Sequence, residues 1–412
     1  MADVRPFNAV TYDPVKVPDL GLVTCPPYDV ISDADRDALY NRHPYNAVRI
    51  ISGRREATDD GDRNQYVRAC GFFRSWLWEG MLREDERQAM FVYRQSFEDP
   101  TGATRRVWGL LATDSLDDEI LAHEKTMAGP KADRLALMQA LPANTSPIYA
   151  LYREDGGPGG SGAVSNDLSS YSREPTVADF TDAEGTRHTV WVVHDEAFHD
   201  KVRSALAPSP ILIADGHHRF ETAKHYRDLR READGPGPWD HIMTLLVDVG
   251  AQPVLILPYH RIVRAATGDP KQIASDAFPM TDLGEATDAT VRAFEDALWK
   301  EPAFALIADG HLYRLEIPDD AGDDIPAGVL MDRVLRPLGI TSVEEGLSFT
   351  PHGTLVASEV ASGSAVCGFL IPPVDVETIW SHAASGGKMP EKSTYFHPKP
   401  RDGIVMRPLG PC

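Results

Sequence analysis

The sequence is poor in cysteine, in basic residues and in long apolar runs, and each shortage closes a class of explanation. Only Cys25, Cys70, Cys367 and Cys412 occur in 412 residues, with no CxxC pair, so neither a disulfide framework nor a cysteine-held zinc site is indicated. Lysine and arginine number 41 against 62 acidic residues, a formal net charge of −21. A chain this acidic lacks the basic face that broad nucleic-acid binding needs. No apolar run approaches the roughly 20 residues of a spanning helix. The opening residues Met1 to Phe7 carry no apolar core of a secretion signal. The expectation is a cytoplasmic protein with neither a nucleic-acid nor a membrane partner. Several catalytic signatures are missing as well: no GxSxG elbow, no GxGxxG opening a βαβ unit, and no kinase HRD or DFG set. Gly386, Gly387 and Lys388 do not make a Walker A loop, because Met389 follows the lysine and His382 stands at the earlier glycine position.

What is present reads as an ordinary globular chain, 42% hydrophobic and 25% charged, long enough for two or three packed units. Ser32 is placed to cap a helix running to Asn41, and residues 63–82 read as helical. Residues 90–96 and 106–113 read as paired strands around a turn at Asp99, Pro100, Thr101 and Gly102. A charged helical stretch over 116–141 is interrupted at Gly129 and Pro130, and 155–162 is a glycine-rich flexible loop with no lysine to make it a phosphate loop. Strands at 148–153, 189–193, 211–214 and 241–249, a helix at 196–206 and a hairpin around Asp309 and Gly310 complete a mixed α/β (α+β) pattern. The predicted division is an N-terminal α/β region, 1–205, and a C-terminal α/β region, 206–412.

Residues 211–219 are the most informative. The run Ile211, Leu212, Ile213 and Ala214 stops at Asp215 and Gly216; His217, His218 and Arg219 follow, and then a helix-compatible segment from Phe220 to Arg231. A strand, a glycine turn and a helix start make an anion site, because the first helical N–H groups lack intrahelical partners and the dipole favours negative charge there. Arginine adds a planar fork suited to phosphate oxygens. His217, Glu221 and His225 share a helix face, but positions eight apart rise by about 12 Å, too far for one ion to bridge both histidines. No protein-held zinc is expected, and metal ligands stay unassigned.

Three further clusters compete for the chemistry. His123, Glu124, Lys125 and Thr126, with Lys131, Asp133 and Arg134 after them, place one carboxylate among bases beside an anion pocket, or form a solvated charged helix. Tyr28 and Asp29 follow the stiff pair Pro26 and Pro27, so Asp29 orients a substrate or merely caps a turn. Residues 388–399 hold Lys388, Lys392 and Lys399, the hydroxyls of Ser393 and Thr394, and His397, an anion-binding composition.

Taken in order, Pro26 to Ile31, His123 to Thr126, Pro130 and Lys131 with Asp133 to Leu135, Ser146 to Tyr149, Asp215 to Arg219 and Met389 to Phe396 resemble a bacterial family long known only as a conserved domain of unknown function. The Asp215-to-Arg219 element is similar to the phosphate-binding motif of the ParB/sulfiredoxin superfamily, within which free L-serine kinases make O-phospho-L-serine from ADP, ATP or pyrophosphate. The resemblance implies a ParB/sulfiredoxin-like core with a strand–turn–helix phosphate site and large insertions. It implies a small-molecule phosphotransferase whose partners are L-serine or an analogue and a phosphoryl donor, with Mg²⁺ on the donor. Gly216, His217, His218 and Arg219 would bind the transferred group, helped by Lys131, Arg134, Lys392, Ser393 and Thr394. Tyr28, His123, Lys125 and Tyr395 would contact substrate. Glu124, Asp29 and Asp215 are the candidate bases, with His218 a further catalytic candidate. A ParB-like nucleotide-binding regulator and a phosphoesterase or nuclease on the same fold are the rival expectations.

Overall fold

Apolar residues at the paired segments fold, in the computed structural model, into strands Met90–Glu98 (β1) and Thr104–Ser115 (β2), antiparallel with Phe91 opposite Leu111. Their turn is closed by Asp99, whose Oδ1 accepts from the backbone N–H groups of Thr101 and Ala103 at 2.9 and 3.0 Å. The structure describes residues 2–116, 120–126, 128–154, 162–318, 325–340 and 346–412; the glycine-rich stretch 155–161 lies outside them.

Six more strands join these two: Ile120–Ala122 (β3), Ile148–Tyr152 (β4), Thr176–Thr181 (β5), Arg187–Val193 (β6), Ile211–Asp215 (β7) and His241–Asp248 (β8). The sheet order is β3-β7-β4-β8-β2-β1-β6-β5. The β7–β3 and β8–β4 pairs are parallel and the rest antiparallel, so the sheet is mixed. Every residue of β4 is buried, which is why it reads as a continuous apolar run rather than an alternating one. Helices Ala128–Ala140 (α1), Glu196–Leu206 (α2) and His217–Asp234 (α3) belong to the same region. On α3, Phe220 and Ala223 pack with Ile148, Ile213 and Ile242. On α2, Phe198, Val202 and Leu206 pack with Met90, Val92 and Leu246. Burying each large apolar side chain stabilises the fold by about 1.5–3 kcal/mol. Gly129 and Pro130 do not interrupt a helix as expected; they sit in the first turn of α1, where a proline sacrifices no hydrogen bond.

The described chain forms two units. The first comprises residues 1–122, 126–254 and 398–412; the second comprises 123–125 and 255–397. The division expected at 205/206 therefore falls inside the first unit, because the chain on both sides of position 205 supplies strands of the same eight-stranded sheet. The second unit is built on strands His260–Val263, Met280–Glu285, Phe304–Ala308, His311–Leu315, Leu347–Thr350 and Cys367–Leu370, with Phe304, Leu306, Phe369 and Leu335 in its core. The architecture is mixed α/β. Among the described residues no helix is long and apolar enough to cross a membrane.

Candidate anion and proton-transfer site

The site grows from the end of β7. Its register against β4 shifts between Ile213 and Asp215, an irregularity that re-aims the last side chain of the strand. Gly216 then takes φ 96° and ψ 27°, and α3 starts at once with His217, three residues earlier than the sequence periodicity predicts. A Cβ at Gly216 would lie 3.0 Å from Ile148 Cγ2 and 3.0 Å from Arg219 Nε, so both the dihedral and the space demand glycine. Gly216 stands at the N-cap position and, being glycine, offers no capping side chain of its own.

Arg219, one turn along, is buried and its fork is occupied. Nη1 donates to the Pro147 carbonyl and Nη2 to Asp215 Oδ2. Burial opposes the guanidinium charge, but Asp215, Asp402 and Asp29 outweigh it and hold its pKa above the ordinary value. The expected open fork is thus a strut that gathers carboxylates; among its nitrogens, Nε has no hydrogen-bond partner among the described residues. Lys399 completes the ring. Its Nζ lies 2.7 Å from Asp215 Oδ1 and 3.0 Å from Asp29 Oδ2.

A cavity of about 40 Å³ opens beside this ring, lined by Tyr28, Arg134, Asn144, Ser146, Arg219 and Thr222 among others. At roughly 10–15 Å³ per water it holds about three waters, the scale of a single tetrahedral anion rather than of a nucleotide. Thr222 Oγ1 is buried without a hydrogen-bond partner among the described residues. The Arg134 guanidinium sits 4.1 Å over the Tyr28 ring, and Arg134 also donates to the Ile51 carbonyl and to Asp133. Burial first, then the adjacent Asp29, pushes the Tyr28 hydroxyl up to about 12. On Asp133 burial works against ionisation, but Arg134 and the Tyr66 hydroxyl prevail and its pKa is lowered.

The residue that sequence reasoning missed is Asp402. It is fully buried, pairs through its backbone with Cys25, and accepts from the Ser146 hydroxyl at 2.6 Å. Burial raises its carboxyl to about 6, against the opposing pull of Arg219 and Ser146. The segment carrying Lys399 and Asp402 is gripped by polar side chains of β1. The Gln95 amide donates to the carbonyls of Pro398 and Lys399 at 3.3 and 3.1 Å, and Tyr93 Oη accepts from the Arg401 N–H at 3.2 Å. Tyr93 is tied in turn to His188 Nδ1 at 2.7 Å, whose Nε2 meets Asp182 at 2.9 Å. The one local signal at Asp402 is the glycine after it, Gly403 at φ 85°, but Asp-Gly pairs also occur at 60–61, 155–156, 215–216, 234–235 and 309–310, so that signal discriminates nothing.

The structure thus brings Tyr28, Asp29, Arg134, Asp215, Gly216 and Arg219 to one neighbourhood of the first unit, with His217 buried and His218 half-buried at the start of α3. Lys131 is half-buried on α1. The remaining candidates are in the second unit. There Glu124 pairs with Met389 as a β-bridge, and its Oε1 accepts from the Lys392 N–H at 2.5 Å. Lys392 has φ 56°, unusual for a side-chain-bearing residue, and its carbonyl accepts from Arg261 at 2.9 Å. Burial lowers the Arg261 guanidinium to about 10, with Glu124 acting in the opposite direction. Buried His123 meets Thr394 Oγ1 at 3.1 Å, Ser393 donates to the Pro390 carbonyl at 2.7 Å, and Tyr395 packs edge-on to Tyr259. Lys125 is exposed. These motifs recognise each other. Among the described residues no group of three or more His, Cys, Asp or Glu side chains is arranged to hold a metal ion.

A mixed α/β protein with an acid–glycine–helix junction over a small polar cavity is the class that fold and site define. More narrowly, the chain belongs to the family described as a protein of unknown function (DUF1015), whose profile matches residues 4–334. No curated protein matches the sequence. Among solved structures, a free serine kinase in complex with AMP is similar over 69% of this chain and 86% of that one, at 12% identity and a TM-score of 0.39. A conserved hypothetical protein from Pyrococcus furiosus is similar over 72% and 93%, at 13% identity and 0.38. SbnI with C-terminal truncation from Staphylococcus aureus is similar over 73% and 87%, at 10% identity and 0.37. Likenesses this slight carry no functional argument.

Proposed function

We propose that the first unit transfers a phosphoryl group to the hydroxyl of a small acceptor, L-serine or a close analogue, from pyrophosphate or a nucleotide donor. The observation that carries the reading is the convergence of the buried cations Arg219 and Arg134 with the hydroxyls of Ser146 and Thr222 on one small cavity. Phosphoryl transfer needs mainly positioning and charge neutralisation, and this set supplies both. The cavity's size suits one phosphoryl group; the rest of a donor would extend outward. Mg²⁺ would arrive on the donor oxygens and neutralise part of their charge.

The test is incubation with L-serine, Mg²⁺ and each of pyrophosphate, ADP and ATP, followed by mass spectrometry for O-phospho-L-serine. Product with at least one donor is expected. Absence with all three removes the serine reading. Nucleotide binding without turnover would favour a ParB-like regulator, and net release of phosphate from phosphoserine or nicking of DNA a phosphoesterase or nuclease.

A further inference from the structure

Ser146 lines the cavity together with Arg134, Arg219 and Thr222, and its hydroxyl is committed to Asp402 Oδ2. The other oxygen of that carboxyl, Oδ1, is buried with no hydrogen-bond partner among the described residues. An incompletely satisfied buried carboxylate is expensive, and natural folds tend to replace one unless it is used. Here instead the fold holds it in place. Gln95 and Tyr93 grip the segment from residue 398 to 401, the backbone pairs with Cys25, and Gly403 leaves no room for a side chain, since a Cβ there would lie 2.4 Å from Ala47 Cβ.

We propose that Ser146 and Asp402 form the proton-accepting pair of this site, removing the proton from the acceptor's hydroxyl as its oxygen attacks phosphorus. The proposal rests on the phosphoryl-transfer reading and deepens it. As the acceptor oxygen forms its bond to phosphorus, its proton passes to Ser146 Oγ, and the Ser146 proton passes to Asp402 Oδ2. The bond from phosphorus to the donor's bridging oxygen breaks, and that oxygen leaves with the electron pair. Asp402 ends the step neutral and returns its proton to solvent or to the departing group. Ser146 touches the acceptor; Asp402 acts through it. The other carboxylates of the cluster are weaker choices. Asp215 is paired with Arg219 and Lys399, and Asp29 with Lys399, so their oxygens are already engaged by cations. Asp402, lifted toward 6 by burial, is ionised at neutral pH yet basic enough to accept a proton.

Two measurements test this on the whole chain. In the first, sulfate, which does not titrate near neutrality, is bound at pH 7 in buffers of different ionisation enthalpy. The expected result is uptake of about one proton per sulfate in the wild type and almost none in Asp402→Asn, because an anion in the cavity raises the pKa of a neighbouring carboxyl. In the second, Ser146→Ala and Asp402→Asn should lower kcat for serine phosphorylation by about 10²–10⁴ while KM for the acceptor changes little. Ser146→Thr, which keeps the hydroxyl, should restore most of kcat, and the acid limb of the wild-type pH profile, near 6, should vanish in Asp402→Asn. Equal proton uptake in wild type and Asp402→Asn, or no sulfate binding, overturns the pair. So does unchanged kcat in either variant. If the wild type phosphorylates nothing but the sulfate-linked proton is still lost in Asp402→Asn, the transfer reading fails and the pair stands as the proton-accepting element of an anion site.

Discussion

The chain contains the same six residues twice. Leu212, Ile213, Ala214, Asp215, Gly216 and His217 are repeated as Leu306, Ile307, Ala308, Asp309, Gly310 and His311. In both copies a strand ends within the hexapeptide and the glycine takes a positive φ, 96° at Gly216 and 77° at Gly310. The outcomes then part. At the second copy Asp309 is also at positive φ, 51°, and the chain reverses into the strand His311–Leu315, a two-residue hairpin turn of the kind Asp-Gly favours. At the first copy the chain enters an eighteen-residue helix. The difference lies downstream. Leu312, Tyr313, Arg314 and Leu315 continue an alternating strand pattern, whereas Phe220 and Ala223 recur at helical spacing and find Ile148 and Ile242 to pack against. Asp-Gly ends a strand; the residues after it decide what the break becomes. The acid also changes role. Asp215 is locked to Arg219 and Lys399 inside the candidate site, while Asp309 belongs to a hairpin turn.

Arg219→Ala should separate the copies most. It leaves Asp215 and Asp402 without their main counter-charge, which should destabilise the first unit by about 3–5 kcal/mol and abolish sulfate or pyrophosphate binding. Thermal unfolding and calorimetry read both; an unchanged affinity would show that the first copy is structural only.

Asp402→Asn probes the same cluster through pH. Its folded pKa is raised from 3.8 to about 6, so the ionised carboxyl is disfavoured in the fold. Stability from this group is full below the unfolded value and is lost as pH rises through 6. The asparagine variant, free of that loss, should gain on the wild type between pH 4 and pH 6, reaching up to about 3 kcal/mol at pH 7.5. Denaturant titrations at pH 4.0 and 7.5 check the sign; a variant less stable at 7.5 would mean that Asp402 is held mainly by its partners rather than penalised by burial.

Gly216→Ala and Gly310→Ala set the two glycines directly against each other. Both meet a positive-φ penalty of about 1–2 kcal/mol. Only at Gly216 does the new Cβ also press on Ile148 and Arg219, so its total should be larger, about 2–3 kcal/mol, whereas nothing lies within 4 Å at Gly310. Equal losses in melting would remove the packing argument. The smallest effect belongs to Asp309→Asn, within about 0.5 kcal/mol, because asparagine suits the same turn. Asp215→Asn should be far costlier in the same assay.

The helix capped by Ser32, the β1–β2 pair with its Asp99 turn, α2 and the Asp309 hairpin were all legible, because each follows from caps, turn residues and periodicity within its own stretch of chain. The strands Thr176–Thr181, Met280–Glu285 and Leu347–Thr350 were not. Thr176–Thr181 and Met280–Glu285 each expose several side chains, and all three take their conformation from a partner strand rather than from their own apolar pattern. In the site, the strand–glycine–helix junction was legible as a local pattern, but the state of Arg219 was not, since its fork is occupied by Pro147, 72 positions away, as well as by Asp215. Glu124 likewise reads as a plausible base in the sequence, and only folding shows its carboxylate holding the Lys392 backbone.

The sequence by itself determined where the backbone must break and which strongly patterned segments are helix or strand, since dihedral limits, caps and periodicity are local. It also determined the acidic balance and the scarcity of cysteine. Only the tertiary structure decided which acids face which cations and which carboxyl is left buried and under-satisfied. Asp402 meets Ser146 across 256 positions and Lys399 meets Asp29 across 370, and no rule of spacing encodes such pairs. Their energies depend on burial and on the charges packed around them, which exist only once the sheet has closed over the segment that carries them.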